Sequence, residues 1–199
     1  MKAVPFKTTR RIIIDPGEYY ASRHPEVIST LLGSCVAACL FDPVKRVFGM
    51  NHFLLAYRHH ANNLPIIESD EGRYGIYAME LLINDMMKLG ATRQNLKAKC
   101  FGGGNVLRLR EDKQNQATVG DVNVEFIKAF LSNEKIPILS SCLGGTHGRN
   151  VHFVGTDFSV FIKKIGETQE RLLENQERSY WKKHIEDREK AKTSSAEFW

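Results

Sequence analysis

At 199 residues the chain is long enough for one domain with a substantial core, and too short for two. Its 42% hydrophobic and 26% charged residues are an ordinary globular balance, and no apolar stretch approaches the roughly 18 residues that span a membrane. The net charge of +5 is scattered, with no Lys/Arg stripe interleaved with aromatics, which argues against nucleic acid.

Residues 166–199 carry seven Lys/Arg and eight Asp/Glu, so the positive excess sits in residues 1–165, where it suits an acidic partner surface. Near the N-terminus Lys7, Arg10 and Arg11 precede only Ile12-Ile13-Ile14 before Asp15-Pro16-Gly17, too short a run for a signal peptide. A cytoplasmic protein without membrane insertion is expected. Its cysteines, at 35, 39, 100 and 142, are then expected as free thiols. Their spacing forms no pair of CxxC knuckles, so no metal site is expected.

Residues 1–11 read as a frayed arm and Arg11 to Ile14 as a short edge strand. Tyr19 to Ser22 is a second short strand, broken by His24-Pro25. Val36 to Phe41 is β-rich and apolar, the pattern of a buried strand, and Val47 to Ala56 returns from the turn at Asp42-Pro43. Tyr57 to Tyr74 is polar and reads as a long surface loop. Ile76, Met79, Leu82, Ile83 and Met86 recur at helical spacing up to Gly90. Leu96 to Phe101 is a strand ending in Gly102-Gly103-Gly104.

A second helix is expected from Asp121 or Asn123 to Asn133, with Val124, Phe126, Ile127, Phe130 and Leu131 on its buried side. Ile136 to Ser141 is a strand, and Val151–Val154 with Phe158–Ile165 a closing hairpin. Beyond Gly166 the composition changes to charge on nearly every turn with sparse apolar points. This divides the chain into a body, 1–165, and a charged, helical, loosely docked extension, 166–199, with a disordered tip.

One stretch organises the rest. Gly33-Ser34 delivers Cys35 to the start of an apolar strand, and His52 stands in the returning strand. A hairpin sets the two level. A cysteine at a turn-to-strand junction beside a histidine is how a thiolate nucleophile and its base are built. Against this stands the ordinary fate of cysteine and histidine as buried core residues, which serves Cys39, Cys100 and Cys142 well. Thr30 or Ser29 can supply the hydroxyl that orients an imidazole. Gly102 and Gly103 read as a tight turn lining the site, since the Gly-Lys-Ser/Thr ending of a phosphate loop is missing. His147 is a rival base. His59-His60 lack partners at ligand spacing.

These stretches together resemble the CheD family, the chemoreceptor glutamine deamidases of bacterial chemotaxis. The resemblance spans Pro16 to Ile165. Its ordered blocks are Pro16-Gly17-Glu18-Tyr19, Thr30 to Ala37, Gly49 to Leu55, Arg73-Tyr74-Gly75 with Ala78-Met79, Lys99 to Gly104, Gly120 with Asn123, and Gly144-Gly145 with Gly148-Arg149. Gly104 departs from the Gly-Gly-Ala common in the family, and the tail after Gly166 is expected outside the shared core.

The resemblance implies an α/β fold, a sandwich of β-sheet layers with helices packed outside, similar to the catalytic domain of cytotoxic necrotizing factor toxins. It implies Cys35 as nucleophile, His52 as general base and Thr30 as the hydroxyl partner, with Ser29 at the alternative offset. It implies hydrolysis of glutamine side-chain amides on methyl-accepting chemotaxis receptors, without a cofactor. Backbone N–H groups near Ser34-Cys35 are expected to hold the oxyanion, so Gly33, Ser34, Gly102 and Gly103 are expected at the substrate. Two alternatives stand beside this: a binding module for a CheC-type phosphatase, and a cysteine peptidase or transglutaminase-like acyltransferase sharing the Cys–His chemistry.

Overall fold

The computed structural model describes residues 1–6, 9–55, 65–106 and 117–196. Along these run β1 (Lys2–Phe6), β2 (Thr9–Ile13), β3 (Tyr19–Ser22), β4 (Val27–Leu32), β5 (Val36–Asp42), β6 (Val47–Asn51), α1 (Asp70–Lys88), β7 (Lys97–Gly102), α2 (Val119–Asn133), β8 (Ile138–Leu143), β9 (Arg149–Val154), β10 (Val160–Lys164) and α3 (Glu167–Ala196). The strands form two five-stranded sheets, ordered β1-β2-β4-β9-β10 and β3-β6-β5-β7-β8.

Strand alternation dictates the layers. Ala37, Cys39 and Phe41 of β5 share one apolar cluster with Ile12, Ile28, Leu32, Val151 and Phe153 of the other sheet. Val36, Ala38 and Leu40, at the intervening positions, join Met79, Leu82 and Ile83 of α1 and Phe126 and Ile127 of α2. Being buried on both faces is why β5 reads as one continuous apolar run. The result is a mixed α/β arrangement of sheet, sheet and outer helices.

Local signals fix the helix ends. The Ser69 hydroxyl accepts from the Gly72 N–H at 3.0 Å, and Asp70 and Glu71 sit in the first turn of α1. Thr118 and Asp121 form a capping box for α2. A cap of this kind stabilises a helix by about 1 kcal/mol. Among the described residues no helix is long and apolar enough to cross a membrane.

Several expectations are corrected. The N-terminal residues do not fray: β1 pairs antiparallel with β2, so β1 is the edge and β2 an inner strand beside β4. Pairing to β2 satisfies the backbone of a segment whose side chains give little burial, which is why the sequence hides it. The polar stretch ending at Tyr74 is helical from Asp70 onward, because the Ser69 cap starts α1 earlier than its apolar positions do. The remainder of that stretch, with His59 and His60, lies outside the described residues except for 65–69. The extension is one helix through Ala196, and residues 197–199 of its expected disordered tip lie outside the described residues.

Candidate active site

The corner between the two sheets is the site. Leu32 ends β4 in one sheet, Val36 begins β5 in the other, and Gly33-Ser34-Cys35 makes the crossing. All three carbonyls of this elbow are tied down on one side. Gly33 O accepts from Gly104 N–H and Cys35 O from Gly103 N–H, each at 2.7 Å. Ser34 O accepts from the buried Asn123 side-chain amide at 2.9 Å. With the carbonyls held, the three N–H groups converge on the opposite side as an anion-binding nest.

A carboxylate occupies that nest. Glu177 of α3 accepts from the N–H of Gly33 at 2.8 Å, Ser34 at 2.9 Å and Cys35 at 3.3 Å. The Ser34 hydroxyl donates to it as well, at 2.6 Å. Gly33 is required for this approach: a Cβ there would stand 2.8 and 2.9 Å from the two carboxylate oxygens.

His52 follows the end of β6. Reciprocal hydrogen bonds between Val36 and Phe53, 3.0 Å each, carry the β5–β6 pairing past the strand end and hold His52 beside Cys35. Its backbone is pinned on the other side by Gly17 and Glu18, at 2.7 and 2.9 Å. The turn at Asp15-Pro16-Gly17 therefore positions the imidazole, a role its sequence does not advertise.

The imidazole tautomer follows from hydroxyl bookkeeping. Thr30 Oγ1 lies 2.7 Å from the Ile14 carbonyl, which can only accept, so the hydroxyl proton points there. Oγ1 is also 2.7 Å from His52 Nδ1, so Nδ1 must carry the proton and donate it. Nε2 keeps its lone pair; it is buried and has no hydrogen-bond partner among the described residues. A His52 ring nitrogen, Cys35 Sγ and a Glu177 oxygen lie within 4.8 Å of one another.

Electrostatics keep His52 and Cys35 neutral at rest. Burial pushes His52 down to about 3. Burial, and then the Glu177 charge, push the Cys35 thiol well above its ordinary range. Cysteine, histidine and carboxylate together are a set that can ligate zinc. Here the Glu177 oxygens already accept four hydrogen bonds from the elbow, so the donor set is committed to the nest.

Of the residues singled out in the sequence, Cys35, His52, Thr30, Gly33 and Ser34 meet at this corner. Gly102 and Gly103 stand behind it. Gly102 has φ +108°, and a Cβ there would lie 2.1 Å from the Cys35 carbonyl, so the glycines support the elbow's back. Ser29 is elsewhere: its hydroxyl is 2.8 Å from His152 Nδ1. His147 is exposed and faces Glu170 at 3.3 Å. The sequence reading missed Asn123 as a support and Glu177 altogether. A signal for Glu177 existed: it falls in the helical stripe Leu173, Glu177, Tyr180, Trp181, a carboxylate where an apolar residue belongs.

Residues 59–164 match the family model described as CheD chemotactic sensory transduction. A probable chemoreceptor glutamine deamidase, CheD 1 of Geobacter sulfurreducens, is 46% identical over 191 residues, 96% of this chain and 94% of that one. The chain belongs to the CheD family. A probable chemoreceptor glutamine deamidase CheD 2 of Shewanella oneidensis is 44% identical over 190 residues, 94% of each chain. A solved structure, the Bacillus licheniformis hypothetical protein YfiH, has a TM-score of 0.37 at 13% identity over 63% of this chain and 51% of that one, too remote to carry fold or function across. A match of 191 of 199 residues to a CheD relative has to include most of 166–199. The extension therefore lies largely inside the length shared with this relative.

Proposed function

We propose that this chain is a protein-glutamine deamidase acting on chemoreceptors, with Cys35 as nucleophile, His52 as general base and acid, and Thr30 as the positioning residue. The observation that carries the reading is the Thr30-held His52, with a ring nitrogen within 4.8 Å of Cys35 Sγ, beside a preformed N–H nest. Membership of the CheD family supports the substrate assignment, since its relatives are described as chemoreceptor glutamine deamidases.

The glutamine carbonyl oxygen takes the position of a Glu177 oxygen in the nest. The Cys35 proton passes to His52 Nε2 as Sγ attacks the amide carbon, and the oxyanion is held by the N–H groups of Gly33, Ser34 and Cys35. The tetrahedral intermediate collapses by expelling ammonia, protonated by His52. Water then gives a proton to His52 and its oxygen to the thioester carbon. Glutamate leaves and Sγ recovers its proton. Each step uses protein groups and water. In this reading residues 1–165 are the deamidase domain and 166–199 an extension, whose stretch from Leu173 to Trp181 packs back onto it. Gly33 and Ser34 meet the substrate; Gly102 and Gly103 act through the elbow they support. Kinship with cytotoxic necrotizing factor catalytic domains belongs to the same reading, supported by the Cys–His chemistry on layered sheets.

The test is peptide-mapped mass analysis of a receptor cytoplasmic fragment after incubation with wild type and with Cys35→Ala. The expected result is a gain of about one mass unit at particular glutamines, absent with Cys35→Ala. No gain with either protein removes the deamidase reading. A second reading is a regulatory module for a CheC-type phosphatase. It is favoured by the complete burial of Cys35, which leaves the nucleophile no access to a substrate in this form. Loss of Cys35 would then leave receptor modification unchanged.

A further inference from the structure

The stripe Leu173, Glu177, Tyr180 and Trp181 lays α3 across the mouth of the site. Leu173 is 3% exposed and Glu177 fully buried, while Leu172 on the opposite face is 68% exposed. Tyr180 and Trp181 pack against the inter-sheet core, and the Tyr180 hydroxyl lies 3.2 Å from that of Tyr74. A glutamate side chain is what remains of a glutamine after deamidation, and Glu177 lies where the product carboxylate would lie.

We propose that α3 is a built-in product analogue. Glu177 closes the active site in cis, turnover on a receptor requires α3 to leave, and a glutamine at position 177 is itself a substrate of Cys35. The inference rests on the deamidase reading and deepens it: the site accepts a side chain presented from one face of an α-helix, held by flanking apolar and aromatic residues.

Three physical facts support it. The four hydrogen bonds to Glu177 use the groups that an oxyanion needs, so substrate and Glu177 exclude each other. Burial beneath the docked helix, and then the Glu177 charge, also hold Cys35 in its unreactive thiol form. Docking also carries a cost that favours release: the Trp181 indole N–H is buried with no partner among the described residues.

In the Glu177→Gln chain the reaction balances with water alone. Sγ bonds to the side-chain carbonyl carbon of the introduced glutamine and expels ammonia, with the thiol proton relayed through His52. Water cleaves the thioester and leaves a glutamate side chain and a free Cys35 thiol. The variant thus restores the wild-type sequence.

The experiment uses full-length Glu177→Gln, alone and combined with Cys35→Ala, and reads residue 177 by peptide-mapped mass. Residue 177 is expected as Glu when Cys35 is present and as Gln when it is absent. The same preparations, wild type and Glu177→Ala are assayed on a receptor fragment. Glu177→Ala is expected to exceed wild type about 10-fold or more, the gain if the open form is a tenth of the population or less. Iodoacetamide labelling of Cys35 reads closure without any substrate, and should accelerate by a similar factor in Glu177→Ala.

Persistence of the introduced glutamine in a preparation that deamidates the fragment overturns the proposal and leaves the deamidase reading standing. Its conversion in the chain that also carries Cys35→Ala overturns the proposal too, since the change is then spontaneous. Equal labelling of Cys35 in wild type and Glu177→Ala overturns the closure. If no variant alters either residue 177 or the fragment, the deamidase reading falls and takes the product analogue with it.

Discussion

Two neighbouring residues of β4 each hold a histidine, and only one of the pairs stands at a nucleophile. Thr30 binds His52 Nδ1 at 2.7 Å, and Ser29 binds His152 Nδ1 at 2.8 Å. Strand alternation sends the two hydroxyls to opposite faces of the sheet. Thr30 reaches into the corner where the sheets meet, against His52, which is 1% exposed; Ser29 meets His152, which is half-buried on the outer side. Hydroxyl–imidazole geometry is therefore common property of both pairs. What separates them is the third partner: Cys35 beside one, and no such cluster around the other among the described residues.

The largest effect should come from His52. His52→Gln is expected to lower kcat on a receptor fragment by about 100- to 10,000-fold, the range for losing a general base. His152→Gln should leave kcat within about 2-fold, since His152 takes no part in the relay. Equal losses would erase the distinction.

Thr30→Val should lower kcat by about 10- to 100-fold, as losing the partner that orients an imidazole does. Because Nδ1 then loses its acceptor, the variant should also shift the pH–rate profile, and Thr30→Ser should restore both. A merely structural Thr30 would move KM and stability but not the profile. Ser29→Ala should do none of this.

Acid should sharpen the comparison further. The folded-state value of His52, about 3, lies below the ordinary histidine value of 6.5, so the unfolded chain takes up the proton more readily. The stability this contributes is complete above pH 6.5 and disappears as pH falls toward 3. Melting temperature should drop on acidification through this window, beginning before the carboxylates titrate, and His52→Gln should flatten the early part of the fall. His152, also depressed by burial but half-buried, should contribute less.

A smaller effect is expected at Asn123. Its amide bridges Ser34 O and Leu55 N, at 2.9 and 2.8 Å, in a fully buried position. Asn123→Ala leaves both backbone groups unpaired and should cost about 1–3 kcal/mol in chemical denaturation.

Much of this was legible in the chain. The apolar run of β5, the helix of Met79 and Leu82, and the Cys35–His52 pairing across a hairpin all follow from local pattern, because each is decided by neighbours in sequence. Which of Ser29 and Thr30 serves His52 was not, because that depends on which face of β4 meets the second sheet, a matter of long-range packing in a strand buried on both faces. The support of the elbow by Asn123 was hidden for the same reason: its partner Ser34 is 89 residues away. The extension misled most. Its composition is that of a solvated helix, since among the described residues it fully buries only Leu173 and Glu177, one of them charged, and half-buries Tyr180 and Trp181.

Every step from Thr30 to the nucleophile depends on His52 offering Cys35 a bare nitrogen. Histidine-selective 15N NMR of the full chain tests this directly. The predicted spectrum shows His52 neutral, protonated at Nδ1 and bare at Nε2, with no titration between about pH 5 and 8. A proton on Nε2, or a titration near the ordinary histidine value, would contradict the relay from Thr30 to Cys35.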